Sequence, residues 1–279
     1  MNKYIVGKDV VLMDFLVNHY NKKSVKNLLK YKQARVNEQI VSQFNYPLQK
    51  GDVVIVDKND TNKSSIDIIY EDDELIVINK PSGLLSMSGG GEKEKTAYHL
   101  VSEYLKSKNK NAKVFIVHRL DRDTSGILMF AKNENIKNKL QDNWNKLVYK
   151  RGYMAVVEGK LKKKSGVIKN YLDESKTQLV YITNNNKGKL AITNYKVIKE
   201  ARYNSLVEVY LDTGRKNQIR VHMQSLGNSI VGDRKYGASS NPLKRMGLHS
   251  HVFALVHPDT KKKMEFAAPI PDEFNKLFR

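Results

Sequence analysis

The chain has 279 residues, 40% of them hydrophobic, and carries 49 Lys and Arg against 29 Asp and Glu, a formal net charge of +20. That excess points to an anionic partner, nucleic acid before an anionic membrane surface. The absence of cysteine excludes disulfides and thiolate metal sites and fits a reducing compartment, and no apolar run approaches the roughly 20 residues of a membrane span. The opening "MNKYIVGKDV" lacks the apolar stretch of a signal peptide, so a soluble, cytoplasmic protein is expected.

Residues 1–60 read as a small α/β module. "VLMDFLVNHY" sets Leu12, Phe15, Leu16 and His19 at helical spacing. Ser24 is the predicted N-cap of a second short helix that turns Val25, Leu28 and Leu29 inward. "RVNEQI" and "DVVIVDK" follow as strands, with a turn at Lys50–Asp52. Lys22, Lys23, Lys26, Lys30, Lys32 and Arg35 crowd in and around the second helix. A solvated face explains some of them, but the density is that of a phosphate-contacting surface.

The polar run "DKNDTNKSS", residues 57–65, reads as a linker, with the boundary itself at 61–65 and a larger domain over 66–279. That domain opens with the strand "ELIVINK", ended by Pro81-Ser82-Gly83. "MSGGGEKEK" is glycine-rich but lacks the spacing of a nucleotide-binding loop. "TAYHLVSEYL" reads as a helix. "VFIVHRL", "GILMFAK", "GYMAVVEGKL" and "LVEVYLD" read as strands, with a helix through Ile136, Leu140 and Leu147 on which Trp144 packs. Many hairpin-type strands with interspersed helices predict an α+β fold on a mixed or antiparallel sheet.

Between two of these strands lies "HRLDRDTSGI", His118–Ile127, with two arginines and two aspartates in five positions. Strand alternation sets Val114, Ile116, His118 and Leu120 on one face and Phe115, Val117 and Arg119 on the other. The chain then leaves the strand at Asp121 into turn chemistry, a rigid mount for a reactive side chain. The plainer alternative is a tight turn whose carboxylates cap backbone amides. A paired-carboxylate glycosidase is disfavoured, since Asp121 and Asp123 are too close in one turn to flank a sugar.

"HRLDRDTSGILMFAK" resembles the signature of the RluA-type pseudouridine synthases. "INKPSGLL", "YKRGYMAVVEG", "TGRKNQIRVHMQSLGNSIVGDRKYG" and "GLHSHVFAL" match further motifs in the family's order, so the likeness spans about residues 66–279. The helix pair with "ARVNEQI" and "LQKGDVVIV" is similar to the small RNA-binding module that a small-subunit ribosomal protein shares with many RNA-modifying enzymes. The resemblance implies a catalytic domain preceded by that module, with Asp121 as catalytic aspartate, Tyr153 as active-site tyrosine and Arg220 as basic partner. It implies isomerisation of uridine to pseudouridine in structured RNA, ribosomal RNA before transfer RNA, by a monomer without cofactor or metal. Asn217 and Ser250 depart from the residues common in the family, histidine and alanine. Asn217 falls near a helix start and is expected to affect secondary contacts rather than the chemistry.

The chemistry suits these residues. A carboxylate either attacks the anomeric carbon or removes a proton from the neighbouring ribose carbon, and both need its ionised form. An arginine in ion-pair reach favours that form and fixes its rotamer. Arg220 is expected to project from a helix whose apolar face is Ile219, Met223 and Leu226 and which Gly227 ends. Tyr153 shares a strand face with Ala155 and Val157 and is expected to stack on the uracil. A uridine in folded RNA must be flipped out. Arg119 or Arg122 is expected to fill the vacated stack or grip nearby phosphates, with Lys80, Arg215 and Lys216 extending the basic surface. His249, His251 and His257 are expected to pack or meet RNA rather than bind metal. The rival reading is a non-catalytic RNA-binding or ribosome-assembly factor on the same scaffold.

Overall fold

A computed structural model describes residues 2–30, 33–56, 66–88, 96–183 and 187–278, with the side chains of Asn27 and Lys30 left out. The linker assigned to 61–65, Lys32 and most of the glycine-rich run lie outside the described residues. The chain divides into two compact units, Met1–Ser65 and Ile66–Arg279.

The first unit holds β1 (Asn2–Ile5), β2 (Val10–Val11), α1 (Leu12–Val17), α2 (Lys22–Lys30), β3 (Ala34–Val36), β4 (Gln39–Ile40), β5 (Pro47–Leu48) and β6 (Val53–Val56). A four-stranded sheet in the order β1-β6-β3-β4 packs its Ala34, Val36, Val54 and Val56 against Leu12, Leu16, Val25 and Leu28 of the helices. Asn37 and Glu38 both have positive φ, as a two-residue hairpin that follows the strand twist requires. α2 starts earlier than its sequence predicts. Asn21, not Ser24, is the cap: its Oδ1 accepts from the Ser24 amide at 2.9 Å. Asparagine caps as well as serine does, so the earlier residue starts the helix and draws Lys22 and Lys23 into its first turn.

The second unit runs β7 (Ile68–Glu71), β8 (Leu75–Lys80), α3 (Ala97–Lys108), β9 (Phe115–Ile116), β10 (Ser125–Ala131), α4 (Glu134–Asp142), α5 (Trp144–Leu147) and β11 (Val148–Glu158). It continues with β12 (Ser165–Glu174), β13 (Val180–Thr183), β14 (Lys189–Glu200), β15 (Asn204–Leu211), α6 (Gln218–Ser225), a 3₁₀ turn at Arg234–Tyr236, β16 (Leu248–Val256), β17 (Lys263–Ala267) and α7 (Asp272–Lys276). Nine strands form one path, β13-β12-β14-β15-β11-β16-β10-β8-β7, with β17 beside β16 and β9 beside β10. The architecture is α+β on a mixed sheet, as the strand and helix pattern predicts.

β8 and β10 are buried on both faces, which is why they read as unbroken apolar runs. Ile76, Ile78, Leu128 and Phe130 meet Ala97, Val101 and Leu105 of α3 on one face. Leu75, Val77, Ile127 and Met129 meet Ile136 and Leu140 of α4 on the other. In the other half of the sheet, Ala155, Val157, Val207 and Val209 are covered by Ile219 and Met223 of α6. Burial of each of those two α6 side chains is worth about 1.5–3 kcal/mol, which anchors the helix that carries Arg220.

The two halves meet at the one parallel pairing among the described strands, Ser125 and Gly126 of β10 against His249 and Ser250 of β16. Gly126 has φ +108°, and a Cβ there would sit 2.1 Å from the Ser250 carbonyl oxygen, so only glycine lets the strands approach. The pairing covers two residues at the head of β10, directly after the charged turn.

The turn is entered differently from the alternation read in the sequence. β9 ends at Ile116, and residues 117–120 lie outside the ladder. Val117 joins the core that faces α4, while Val114 and Leu120 join the core that faces α3. His118 stacks on Phe253 with ring centroids 5.1 Å apart, and Trp144 packs beside both. His118 therefore does not share a face with Val114 and Ile116. Tertiary packing overrides period-two order once the backbone leaves the sheet.

Candidate active site

The turn is closed by the Thr124 amide donating to the Asp121 carbonyl at 3.2 Å, and it is clamped from the segment after β8. The Gly83 amide and the Lys80 Nζ both donate to the Arg122 carbonyl, at 3.0 and 2.9 Å. Ser82 Oγ donates to the Asp123 carbonyl at 2.7 Å, and Ser86 Oγ to the Leu120 carbonyl at 2.8 Å. Lys80 is thus a correction to the sequence reading. It is fully buried, and its ammonium donates to the carbonyls of Pro81, Leu84 and Arg122, so it has no surface to offer RNA. Burial pushes its pKa down to about 8. It holds the turn still.

Asp121 faces a cleft of about 390 Å³, lined also by Arg119, Tyr153, Arg215, Lys216 and Arg220. That volume lies within the range of sites for small molecules. Arg220 Nη1 lies 3.4 Å from Asp121 Oδ2. The guanidinium is fixed from the other side by Asp233, with Nε to Oδ2 at 2.6 Å and Nη2 to Oδ1 at 2.7 Å. This is the two-pronged geometry that arginine alone among the cations can make. Burial works against the Arg220 charge, but the hydrogen bonds and charge of Asp233, with Asp121 beyond, hold its pKa above the ordinary value. The ring of Tyr236 lies beneath it, 4.7 Å from the guanidinium carbon.

Tyr153 sits on β11 at an irregularity in its pairing with β16, between Gly152 and Tyr153. It contributes to the hydrophobic clusters of both halves of the sheet and lines the cleft at their junction. Burial pushes its phenol pKa up, against the pull of the nearby Arg151 charge.

Sequence reasoning missed Asp233, which is 3% exposed. The signal was available: a half-buried arginine needs a carboxylate partner, and "VGDRKYG" supplies one thirteen residues downstream. Asn217 is a second correction. It touches the arginine itself, its Oδ1 accepting from Arg220 Nη1 at 2.9 Å while its Nδ2 donates to the Tyr236 hydroxyl at 2.9 Å. It sits at φ 54°, a left-handed conformation that asparagine tolerates better than most residues.

The other predicted residues are placed as follows. Arg119 is exposed on the cleft wall. Arg122 is exposed outside the cleft lining and donates from Nε to the Gly83 carbonyl at 3.2 Å. Arg215 and Lys216 line the cleft, the first tied to the Leu190 carbonyl at 2.9 Å and the second ion-paired with Glu174 at 2.5 Å. Lys22, Lys23, Lys26 and Arg35 are exposed on the first unit, and the side chain of Lys30 lies outside the described residues. His249 Nδ1 meets Ser125 Oγ at 2.8 Å, His251 Nδ1 meets the Ala268 carbonyl at 2.6 Å, and His257 Nε2 faces Glu74 at 3.1 Å. Asp259, near His257 in the chain, pairs with Lys139 at 2.6 Å. Among the described residues no group of three or more potential ligands is arranged to hold a metal ion, and no helix is long and apolar enough to cross a membrane.

Residues 74–225 match the family described as RNA pseudouridylate synthase, a stretch that includes Asp121, Tyr153 and Arg220. The chain belongs to that family. It is therefore an RNA pseudouridine synthase, an isomerase of uridine in RNA. The "Uncharacterized RNA pseudouridine synthase YhcT" of Bacillus subtilis is 34% identical over 268 residues, covering 93% of this chain and 88% of that relative. The "Ribosomal large subunit pseudouridine synthase C" of Rickettsia bellii is 38% identical over 247 residues, covering 85% and 81%. Among solved structures, the "Human RNA Pseudouridylate Synthase Domain Containing 4" superimposes with a TM-score of 0.63 at 22% identity over 75% of this chain and 92% of that one. The last likeness is one of fold.

Proposed function

We propose that the synthase acts on a uridine of large-subunit ribosomal RNA, flipped into the cleft so that its ribose meets Asp121. The observation that carries this reading is the convergence on one cleft of a carboxylate, the guanidinium 3.4 Å from it and a phenol from a different strand. The names of relatives such as the "Ribosomal large subunit pseudouridine synthase D" of Haemophilus influenzae, 30% identical over 286 residues, support the choice of RNA.

In the reaction the bond from ribose C1′ to uracil N1 breaks, the uracil turns and C5 bonds to C1′; the C5 proton leaves and N1 gains one, so product and substrate are isomers. No electron is gained or lost, so the chain's own residues suffice. Asp121 either attacks C1′ and is later displaced, or takes a proton from C2′ and returns it. Arg220 aims the carboxylate, and Asp233, Asn217 and Tyr236 aim Arg220. Tyr153 carries the uracil on its ring, with a hydroxyl kept neutral near C5. Arg119, on the cleft rim, fills the vacated stack or grips an adjacent phosphate.

Residues 1–60 serve as an RNA-binding module. Lys22 and Lys23 occupy the first turn of α2, where the helix dipole disfavours cations, so their place there is best explained by an anion they bind. The protein is read as a monomer that works in the cytoplasm.

RNA labelled with tritium at uridine C5 tests the reading. Incubation with the protein is expected to release tritium from ribosomal RNA lacking the modification, in step with new pseudouridine at a small set of positions. Release from transfer RNA alone would reassign the target, and none from either would leave the rival, a non-catalytic RNA-binding factor.

A further inference from the structure

Arg220 lines two spaces, the cleft that holds Asp121 and Tyr153 and a second recess of about 620 Å³. The lining of the recess includes Asp123, Asp233, Arg234, Lys235, Lys244 and Arg245. Cations outnumber carboxylates on it. Two of those cations are already engaged: Arg245 donates to Ser125 Oγ at 2.5 Å and faces Glu273 at 3.4 Å, while Lys235 donates to the Gln178 carbonyl at 3.0 Å. Arg234 and Lys244 are different. Both are exposed, and neither side chain makes a hydrogen bond or ion pair among the described residues.

Lys244 is also strained, with φ 56°. Lysine has no short polar side chain to ease the left-handed conformation, as asparagine does. Backbone strain of this kind gathers at functional sites.

We propose that this recess binds the phosphates of the RNA strand that continues from one side of the target uridine, with Arg234 and Lys244 as the contacting cations. The inference rests on the reading of the Asp121 cleft as the place of the target. An anion in the recess is then close to that nucleotide, because Arg220 lines both spaces, and the neighbouring phosphodiester is the anion nearest to hand. Contacts of this kind read no base. They fix the register of the strand and so hold the flipped nucleotide over the carboxylate.

The double variant Arg234→Gln/Lys244→Asn tests this, since asparagine relieves the strain and preserves the loop. KM for RNA is expected to rise about tenfold with kcat at saturating RNA changed less than about twofold, and the thermal midpoint to hold or rise. Loss of two single-strand phosphate contacts makes the slope of log affinity against log salt shallower by about 1.4. An unchanged KM and salt slope would overturn the proposal, as would a fall in kcat with KM unaltered. Asp121→Asn assayed alongside separates the two readings. Normal RNA binding in the double variant beside an inactive Asp121→Asn removes the recess alone, whereas an active Asp121→Asn removes the cleft on which it rests.

Discussion

Asp121→Asn is expected to lower turnover by at least about 10³-fold, the scale of loss when a nucleophile or general base is removed. Asparagine fills the same volume and keeps a hydrogen-bond acceptor toward Arg220, so neither fold nor cleft has reason to change. What it lacks is a basic, nucleophilic oxygen. RNA affinity should hold or rise slightly, because the variant removes a negative charge from a surface that meets phosphates. Filter binding and single-turnover pseudouridine formation on the same preparation measure the two quantities apart. Activity near that of the wild type would reduce the turn to a structural feature, with its charges serving only to hold backbone.

The pair behind the aspartate has an effect of its own. Arg220→Met strands the carboxylate of Asp233, which is 3% exposed, and is expected to destabilise the protein by about 3–5 kcal/mol. It also abolishes turnover. Arg220→Met/Asp233→Leu replaces the ion pair by apolar contact and should recover about 2 kcal/mol or more of the lost stability, read from the denaturant midpoint, because no unpaired charge is left buried. Turnover should stay lost in the double variant. If activity returned together with stability, Arg220 would be no more than half of a structural pair, and its aim at Asp121 incidental.

Much of this was legible in the sequence, for identifiable reasons. β8 and β10 announce themselves as short apolar runs, and α6 by the spacing of Ile219, Met223 and Leu226 before a glycine. The turn at Asp121 stands out because opposed charges between buried strands are costly without a purpose. What escaped depends on contacts between distant segments. Lys80 ends a strand just before a proline, which in sequence looks like emergence into solvent, but three carbonyls from two loops converge on it. Asp233 lies in a stretch of charged and glycine residues that reads as a surface loop until the arginine it pairs with is known. The alternation through His118 failed because nothing local marks where the backbone leaves β9, with no glycine or proline between Phe115 and Asp121. Asn217 could be placed near α6 but not turned toward Arg220, since its left-handed backbone follows from the path after β15 rather than from its neighbours in sequence.

A structure of Asp121→Asn bound to a substrate RNA fragment puts the whole account to its most direct test. The target uridine should be out of its stack with its ring against Tyr153 and its ribose C1′ or C2′ about 3–3.5 Å from the side chain at position 121, close enough for reaction in the wild type. A uridine seated elsewhere on the surface, with residue 121 and Arg220 facing only solvent, would contradict it.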